Sequence, residues 1–228
     1  MTAWDGITPA ELAVSFDTEH RNLTVHTTNT ERAICRKYLS LVKTAPPGYV
    51  LDFARCLLGN HGLRWQAYEL IAGHKAAFRS LRAGDLEEFG QGINSWWSVD
   101  SFARTLSGPA WREGLVADEL FIRWARSPDV WWRRAAVVST VAFNVRSQGG
   151  RGDTGRTLSV CRMLVDDHED MLVKALSWAL RELVYFDRQA VADFLQEYDS
   201  VLASRVKREV GSKLKTGLKN KRKTPKSN

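Results

Sequence analysis

The sequence predicts an all-α protein, an α-solenoid of stacked helical pairs. Three observations carry this expectation. Apolar residues recur at three- and four-residue intervals from Thr30 to Val210, in segments separated by capping residues and by Gly or Pro. No run alternates apolar and polar residues as a half-buried strand would. Similar helical segments also return at a nearly constant spacing.

Taken in order, residues 1–29 show little organisation, although TPAELAVSFD opens a short helix with Thr8 as cap, Pro9 in the first turn and Glu11 at the third helical position. The polar stretch HRNLTVHTTNT follows. ERAICRKYLSLVK then places Ile34, Tyr38, Leu41 and Val42 on one face behind a Thr30 cap, and Ala45-Pro46-Pro47-Gly48 ends it. YVLDFARCLLGNHG forms a second helix stopped at Gly59-Asn60, and RWQAYELIAGHKAAFRSL a third with Trp65, Tyr68, Leu70 and Ile71 as its apolar set. Asp85 caps LEEFGQGI, and two segments separated by Gly108-Pro109 follow, from Ser95 to Leu106 and from Trp111 to Ala125. Ser127-Pro128-Asp129 caps VWWRRAAVVSTVAFNV. The Gly-rich QGGRGDTGR leads into TLSVCRMLV, and Asp166-Asp167 precedes a helix from Glu169 to Tyr185. Asp187 caps RQAVADFLQEYD, and Ser200 opens a last helix through Val210.

The segments starting at Arg64, Val99, Arg133 and Val173 resemble one another and lie 35, 34 and 40 residues apart. That period suits HEAT-like helical-pair repeats, in which each pair buries its face against the next. Such stacks curve and line a concave surface with one helix of each pair.

Bulk properties narrow the classes. The chain has 228 residues, 44% hydrophobic and 26% charged, as expected of a soluble protein. No apolar run approaches the roughly 20 residues that span a bilayer, and the acid-containing N-terminus is unlike a secretory signal. Cys35, Cys56 and Cys161 are an odd number and widely separated, which fits a reducing cytoplasm. His20, His26, His61, His74 and His168 include no pair with metal-ligand spacing, so no metal is expected. The net charge of +7 is concentrated at the end of the chain: Lys213, Lys215, Lys219, Lys221, Arg222, Lys223 and Lys226 have no acid among them. Residues 1–210 are therefore neutral, and the organisation expected is a loosely organised 1–29, a repeat domain over 30–210 and a basic disordered tail over 211–228.

The stretch Ser95-Trp96-Trp97-Ser98-Val99-Asp100 stands out. Trp96 and Asp100 are four residues apart, on one helical face, and Trp97 is three from Asp100 and also permitted. An aromatic wall beside a carboxylate suits a cation, or a centre that becomes cationic. Trp131-Trp132-Arg133-Arg134 repeats the theme one unit later. Of two adjacent tryptophans, one can pack in the core and the other must face a groove or a neighbouring helix, and Arg133 and Arg134 likewise point in different directions, so one can face the concave surface. Trp178 and Arg181 share a face on the following repeat. Arg151, in the loop Gly149–Arg156 between Arg146 and Arg156, is a candidate phosphate contact.

SWWSVDS at 95–101, SPDVWWRRAAVV at 127–138 and KALSWALREL at 174–183, with a shorter echo in SRVKRE at 204–209, together resemble the AlkD-type DNA alkylation repair glycosylases. The likeness covers roughly residues 30–210. It implies a HEAT-like solenoid with a concave DNA-binding groove, acting in base excision repair. The implied activity hydrolyses the N-glycosylic bond of purines alkylated at ring nitrogens 3 or 7 in duplex DNA, without a pocket for the base. Mapped by motif, it makes Asp100 the catalytic carboxylate, Trp96 and Trp178 aromatic walls against the sugar, Arg134 a phosphate-binding arginine and Arg181 a further backbone contact. Arg133, Trp97 and Arg151 complete the candidate DNA-binding set. No cofactor or membrane is implied. The expected form is a cytoplasmic monomer, nucleoid-associated when bound. The alternative is a non-catalytic helical-repeat protein that binds DNA or scaffolds other proteins.

Overall fold

Capping chemistry sets most of the helix starts in the computed structural model, which describes Trp4 and residues 6–219. Thr8 caps α1 (Pro9–Arg21) in a full capping box with Glu11, as its spacing predicts. α2 (Thr28–Leu41) is capped by Thr27, with Thr30 as the reciprocal third residue, so the start lies three residues before the expected cap. α3 (Pro47–His61) passes through Gly59 and closes at Gly62, whose φ of 70° is the left-handed conformation that ends helices. The segment expected as one helix from Arg64 is two, α4 (Arg64–Gly73) and α5 (Lys75–Ser80), because His74 leaves the helix and its Nδ1 accepts from the Ala77 N–H. In α6 (Ala83–Gly90), Asp85 sits at the third position and its carboxylate accepts the Arg82 N–H.

Gly108-Pro109 does not separate two helices. α7 (Trp96–Phe102) runs into a π-helical stretch, Ala103–Ser107, and then into α8 (Gly108–Arg112). Proline lacks an N–H and its ring collides with the carbonyl four residues back. The wider turn, with the Gly108 N–H reaching the Ala103 carbonyl, gives Pro109 room.

α9 (Asp118–Ala125) and α10 (Val130–Asn144) follow, the latter capped by Asp129 through the Trp131 N–H at 2.9 Å. A 3₁₀ turn at Arg146–Gln148 leads to α11 (Thr154–Arg162), capped by Asp153. α12 (Asp170–Leu183), α13 (Arg188–Glu197) and α14 (Ser204–Thr216) complete the described chain, with Asp187 capping α13 as expected. No strand occurs among the described residues. None of the described helices is long and apolar enough to cross a membrane.

The chain divides into two compact units, Met1–Val116 and Ala117–Asn228. In the first, α1, α3 and α5 pack side by side as one row and α2, α4 and α7 as a second. The rows meet where Tyr38 of α2 packs on Phe16 of α1 and Phe53 of α3, and within the second row Tyr68 of α4 packs on Phe102 of α7. In the second unit, α10, α12 and α14 form one row, while α9 and α11 pack together on the other side of the pairs. The fold is thus all-α and built of helical pairs.

These units differ from the expected segmentation. α1 belongs to the first core, with Leu12, Ala13 and Phe16 buried. α14 continues to Thr216, beyond the expected boundary at 210, because its inner face buries Val206 and Val210 and Lys213 is anchored at its end. Lys213 Nζ donates to the Tyr185 hydroxyl and to the Gly217 carbonyl at 2.7 Å. Residues 220–228 of the basic tail lie outside the described residues.

Candidate active site

In the first unit, the start of α7 is fixed by a reciprocal cap. The Ser98 N–H donates to Ser95 Oγ at 3.2 Å, and the Ser95 N–H donates to Ser98 Oγ at 3.2 Å. Ser98, Val99 and Phe102 turn into the core. This leaves the first turn to display its tryptophans: Trp96 is 56% exposed and Trp97 49%. Neither is in the core. First-turn side chains of a helix lean back beyond the helix start, past the turns that pack on α4. Asp100, one turn after Trp96, is half-buried. Two exposed indoles and a half-buried carboxylate thus share one short helix and leave an apolar patch outside the core.

In the second unit, α10 and α12 carry the other candidates. Trp131 and Trp132 are both half-buried, and Trp132 packs its ring on Trp124 of α9 with centroids 4.8 Å apart. Arg133 does structural work. Its Nε pairs with Asp167 at 2.8 Å and its Nη1 donates to the Ser127 and Pro128 carbonyls, tying the two loops that precede α10 and α12. Arg134 is 4% exposed and donates to the Met171 carbonyl in the first turn of α12. This differs from an arginine turned outward to phosphate: α10 is enclosed by α9, α11 and α12, and the guanidinium takes an interior acceptor.

Trp178 and Arg181 are both on α12 and half-buried, but their polar ends go separate ways. Trp178 Nε1 donates to Glu182 at 3.2 Å. Arg181 Nε donates to Ser177 Oγ at 3.3 Å and lies 3.9 Å from Glu209 of α14. Burial lowers the Arg181 pKa, against the opposing pull of Glu209 and Glu182. Glu209 is buried, accepts from Ser177 at 2.7 Å, and faces Arg205 and Lys219. Burial raises its carboxyl, but the Ser177 hydrogen bond and the Lys219 and Arg181 charges outweigh this and hold it below the ordinary value. The sequence signal for this network was the SRVKRE stretch, which holds Arg205 and Glu209.

Of the loop arginines, Arg146 covers the Phe186 ring at 4.9 Å, and Arg156 pairs with Asp153 at 2.6 Å while covering Phe143 at 4.1 Å. Arg151 is exposed.

The model of the DNA alkylation repair enzyme family matches residues 10–214. The chain belongs to that family. Comparisons with curated proteins and with solved structures gave no match. As a member of a DNA alkylation repair family, the protein presents an exposed aromatic pair and a nearby carboxylate in one unit. The other unit, by itself, carries the half-buried Trp178, the exposed loop residue Arg151 and Arg181 held between α12 and α14. The family match extends four residues past the expected core boundary at its C-terminal side and includes most of α14.

Proposed function

We propose that this DNA alkylation repair protein is an N-glycosylase that releases cationic 3- or 7-alkylpurines from duplex DNA. The observation that carries the reading is the exposure of Trp96 and Trp97 on the turn that leads to Asp100. Cleaving an ordinary glycosidic bond takes an acid to protonate the leaving group and a second carboxylate. An alkylated purine already bears the positive charge. When the bond from C1′ to nitrogen breaks, its electron pair neutralises the base, and no acid is required. Asp100 then has one task, to stabilise the oxocarbenium-like sugar and orient the water that adds to C1′ and loses its proton. An indole face beside the sugar favours the same charge and keeps bulk water away.

Trp96 is assigned as the first wall, with Trp97 beside it as a DNA contact, and Trp178 as a second wall. Arg151 and Arg181 are assigned to the phosphate backbone. Arg134 acts as a positioning residue, since it fixes the start of the helix that carries Trp178 and Arg181. Arg133 serves the fold.

Release of 7-methylguanine from duplex DNA tests this directly. Asp100→Asn is expected to lower the single-turnover rate by about 10²–10³ while duplex affinity is kept, by analogy with loss of other electrostatic stabilisers. Equal rates in both proteins would remove Asp100 from the chemistry. No release above the spontaneous rate, with duplex binding intact, would leave the non-catalytic DNA-binding alternative.

A further inference from the structure

The junction of α1 and α2 gathers two imidazoles and a carboxylate that the repair reading does not use. His20 ends α1, His26 lies in the connection, and Glu31 is in the first turn of α2. Their ligand atoms all lie within 4.8 Å of one another. His20 Nε2 is 3.3 Å from Glu31 Oε2, and His26 Nδ1 is 3.5 Å from Glu31 Oε1. Gln66 of α4, 3% exposed, closes the group from below: its Nε2 donates to Glu31 Oε2 at 2.8 Å and is 3.3 Å from His20 Nε2.

We propose that His20, His26 and Glu31 form a zinc site that ties α1 and α2 to α4. Four ligands around Zn²⁺ at bond lengths of about 2.0–2.1 Å are about 3.4 Å apart in a tetrahedron. His20 Nε2 stands near that distance from Glu31 Oε2 and His26 Nδ1 near it from Glu31 Oε1, so the carboxylate turns to offer one oxygen to both rings while His26, about half exposed in a connecting segment, closes on it. Their rings meet edge to face with centroids 4.9 Å apart. One shared divalent cation satisfies all three groups at once. The mixed nitrogen and oxygen donors suit zinc rather than calcium or magnesium, which take oxygen ligands. Gln66 holds Glu31 in place as an outer partner. A half-turn of its amide would bring its carbonyl oxygen into the fourth position, which otherwise takes water. The ligands are separated by five and four residues across a helix end, a loop and a helix start, a pattern with no recognisable sequence spacing.

The test uses the full chain, stripped with chelator and titrated with zinc chloride alone. Expected are one calorimetric binding event that depends on these residues and a rise in the unfolding midpoint of roughly 5–10 °C at zinc 100-fold above its dissociation constant. Co²⁺ in place of zinc should show ligand-field absorption. His26→Ala and Glu31→Gln should weaken binding by at least about 10–100-fold, the cost of losing even an outer-shell partner, and abolish the midpoint rise. His168→Ala, in the second unit, should change neither. His26→Ala serves as the main variant because its exposed side chain contributes little to packing. Absence of zinc binding in the wild type, or binding by both His26→Ala and Glu31→Gln at wild-type strength, would overturn the site.

Discussion

Gly150→Ala gives a quantitative test of the loop that carries Arg151. A Cβ at Gly150 would stand 2.7 Å from the Phe143 carbonyl oxygen, 2.7 Å from the Val145 nitrogen and 2.8 Å from the Phe143 carbonyl carbon. All three are backbone atoms, and none swings away as a side chain would. The Phe143 oxygen is further held by the Gly152 N–H at 2.8 Å, and the Gly150 N–H itself donates to the Val145 oxygen at 3.0 Å. Relieving the overlap therefore means moving packed backbone, at about 1–3 kcal/mol, and loosening at least one hydrogen bond, at about 0.5–1.5 kcal/mol. Together these predict destabilisation of about 2–4 kcal/mol, or roughly 5–15 °C in the midpoint for a chain of this size. Gly155→Ala is the matched control. Its Cβ would meet only the Asp153 carboxylate at 3.7 Å, within the first turn of α11. Reduced freedom of the unfolded chain then stabilises by up to about 0.5–1 kcal/mol. Thermal unfolding followed by far-ultraviolet circular dichroism at one scan rate reads both. A Gly150→Ala midpoint within a degree of wild type, or a Gly155→Ala variant equally damaged, would refute the steric account.

The arginines separate by readout. Arg133→Ala should destabilise by about 2–3 kcal/mol, since it strands Asp167 and two loop carbonyls, while leaving the salt dependence of duplex binding unchanged. Arg151→Ala should leave the midpoint in place and reduce the slope of log affinity against log salt by about one; an unchanged slope would remove Arg151 from the interface. Acid should weaken both units. Asp17 is raised by burial, but Arg21 and His61 outweigh that and hold it below the ordinary carboxylate value, as Ser177, Lys219 and Arg181 do for Glu209. A depressed carboxyl stabilises the fold fully above its unfolded pKa, about 4, and that contribution is lost as pH falls toward the folded value. Asp17→Asn and Glu209→Gln should therefore narrow the midpoint difference between about pH 6 and about pH 3. Variants that lose as much as wild type over that range would count against both ion networks.

The helical layout was legible because its signals are local. Thr8 with Glu11, Asp129 and Asp187 cap the helices they were expected to cap, since a capping oxygen needs only its own next turn. Gly108-Pro109 misled because its meaning depends on the turn before it: the π-helical stretch is invisible to a rule that reads proline as a break. Trp96 and Trp97 were found from sequence, but their shared exposure follows from their place in the first turn of α7, which apolar periodicity does not register. Arg133 and Arg134 look alike in sequence and have different partners, decided by the Asp167 carboxylate 34 residues on and the Met171 carbonyl 37 residues on. The His20, His26 and Glu31 cluster likewise exists only once α1, α2 and α4 are packed.

The passage from Trp96 to Arg112 is one unbroken helical path with a wider turn inside it. In a regular α-helix each residue adds about 100° of rotation, so the side that shows Trp96 and Trp97 would fix, residue by residue, the side that buries Trp111. The stretch Ala103–Ser107 acts as a phase shifter between them. The indoles and Asp100 can keep the heading set by the Ser95 cap, while Trp111 keeps the heading its core demands. A one-residue change of length, which elsewhere would swing a displayed face into the interior, can be taken up there. The turn that sets this phase begins three residues after Asp100.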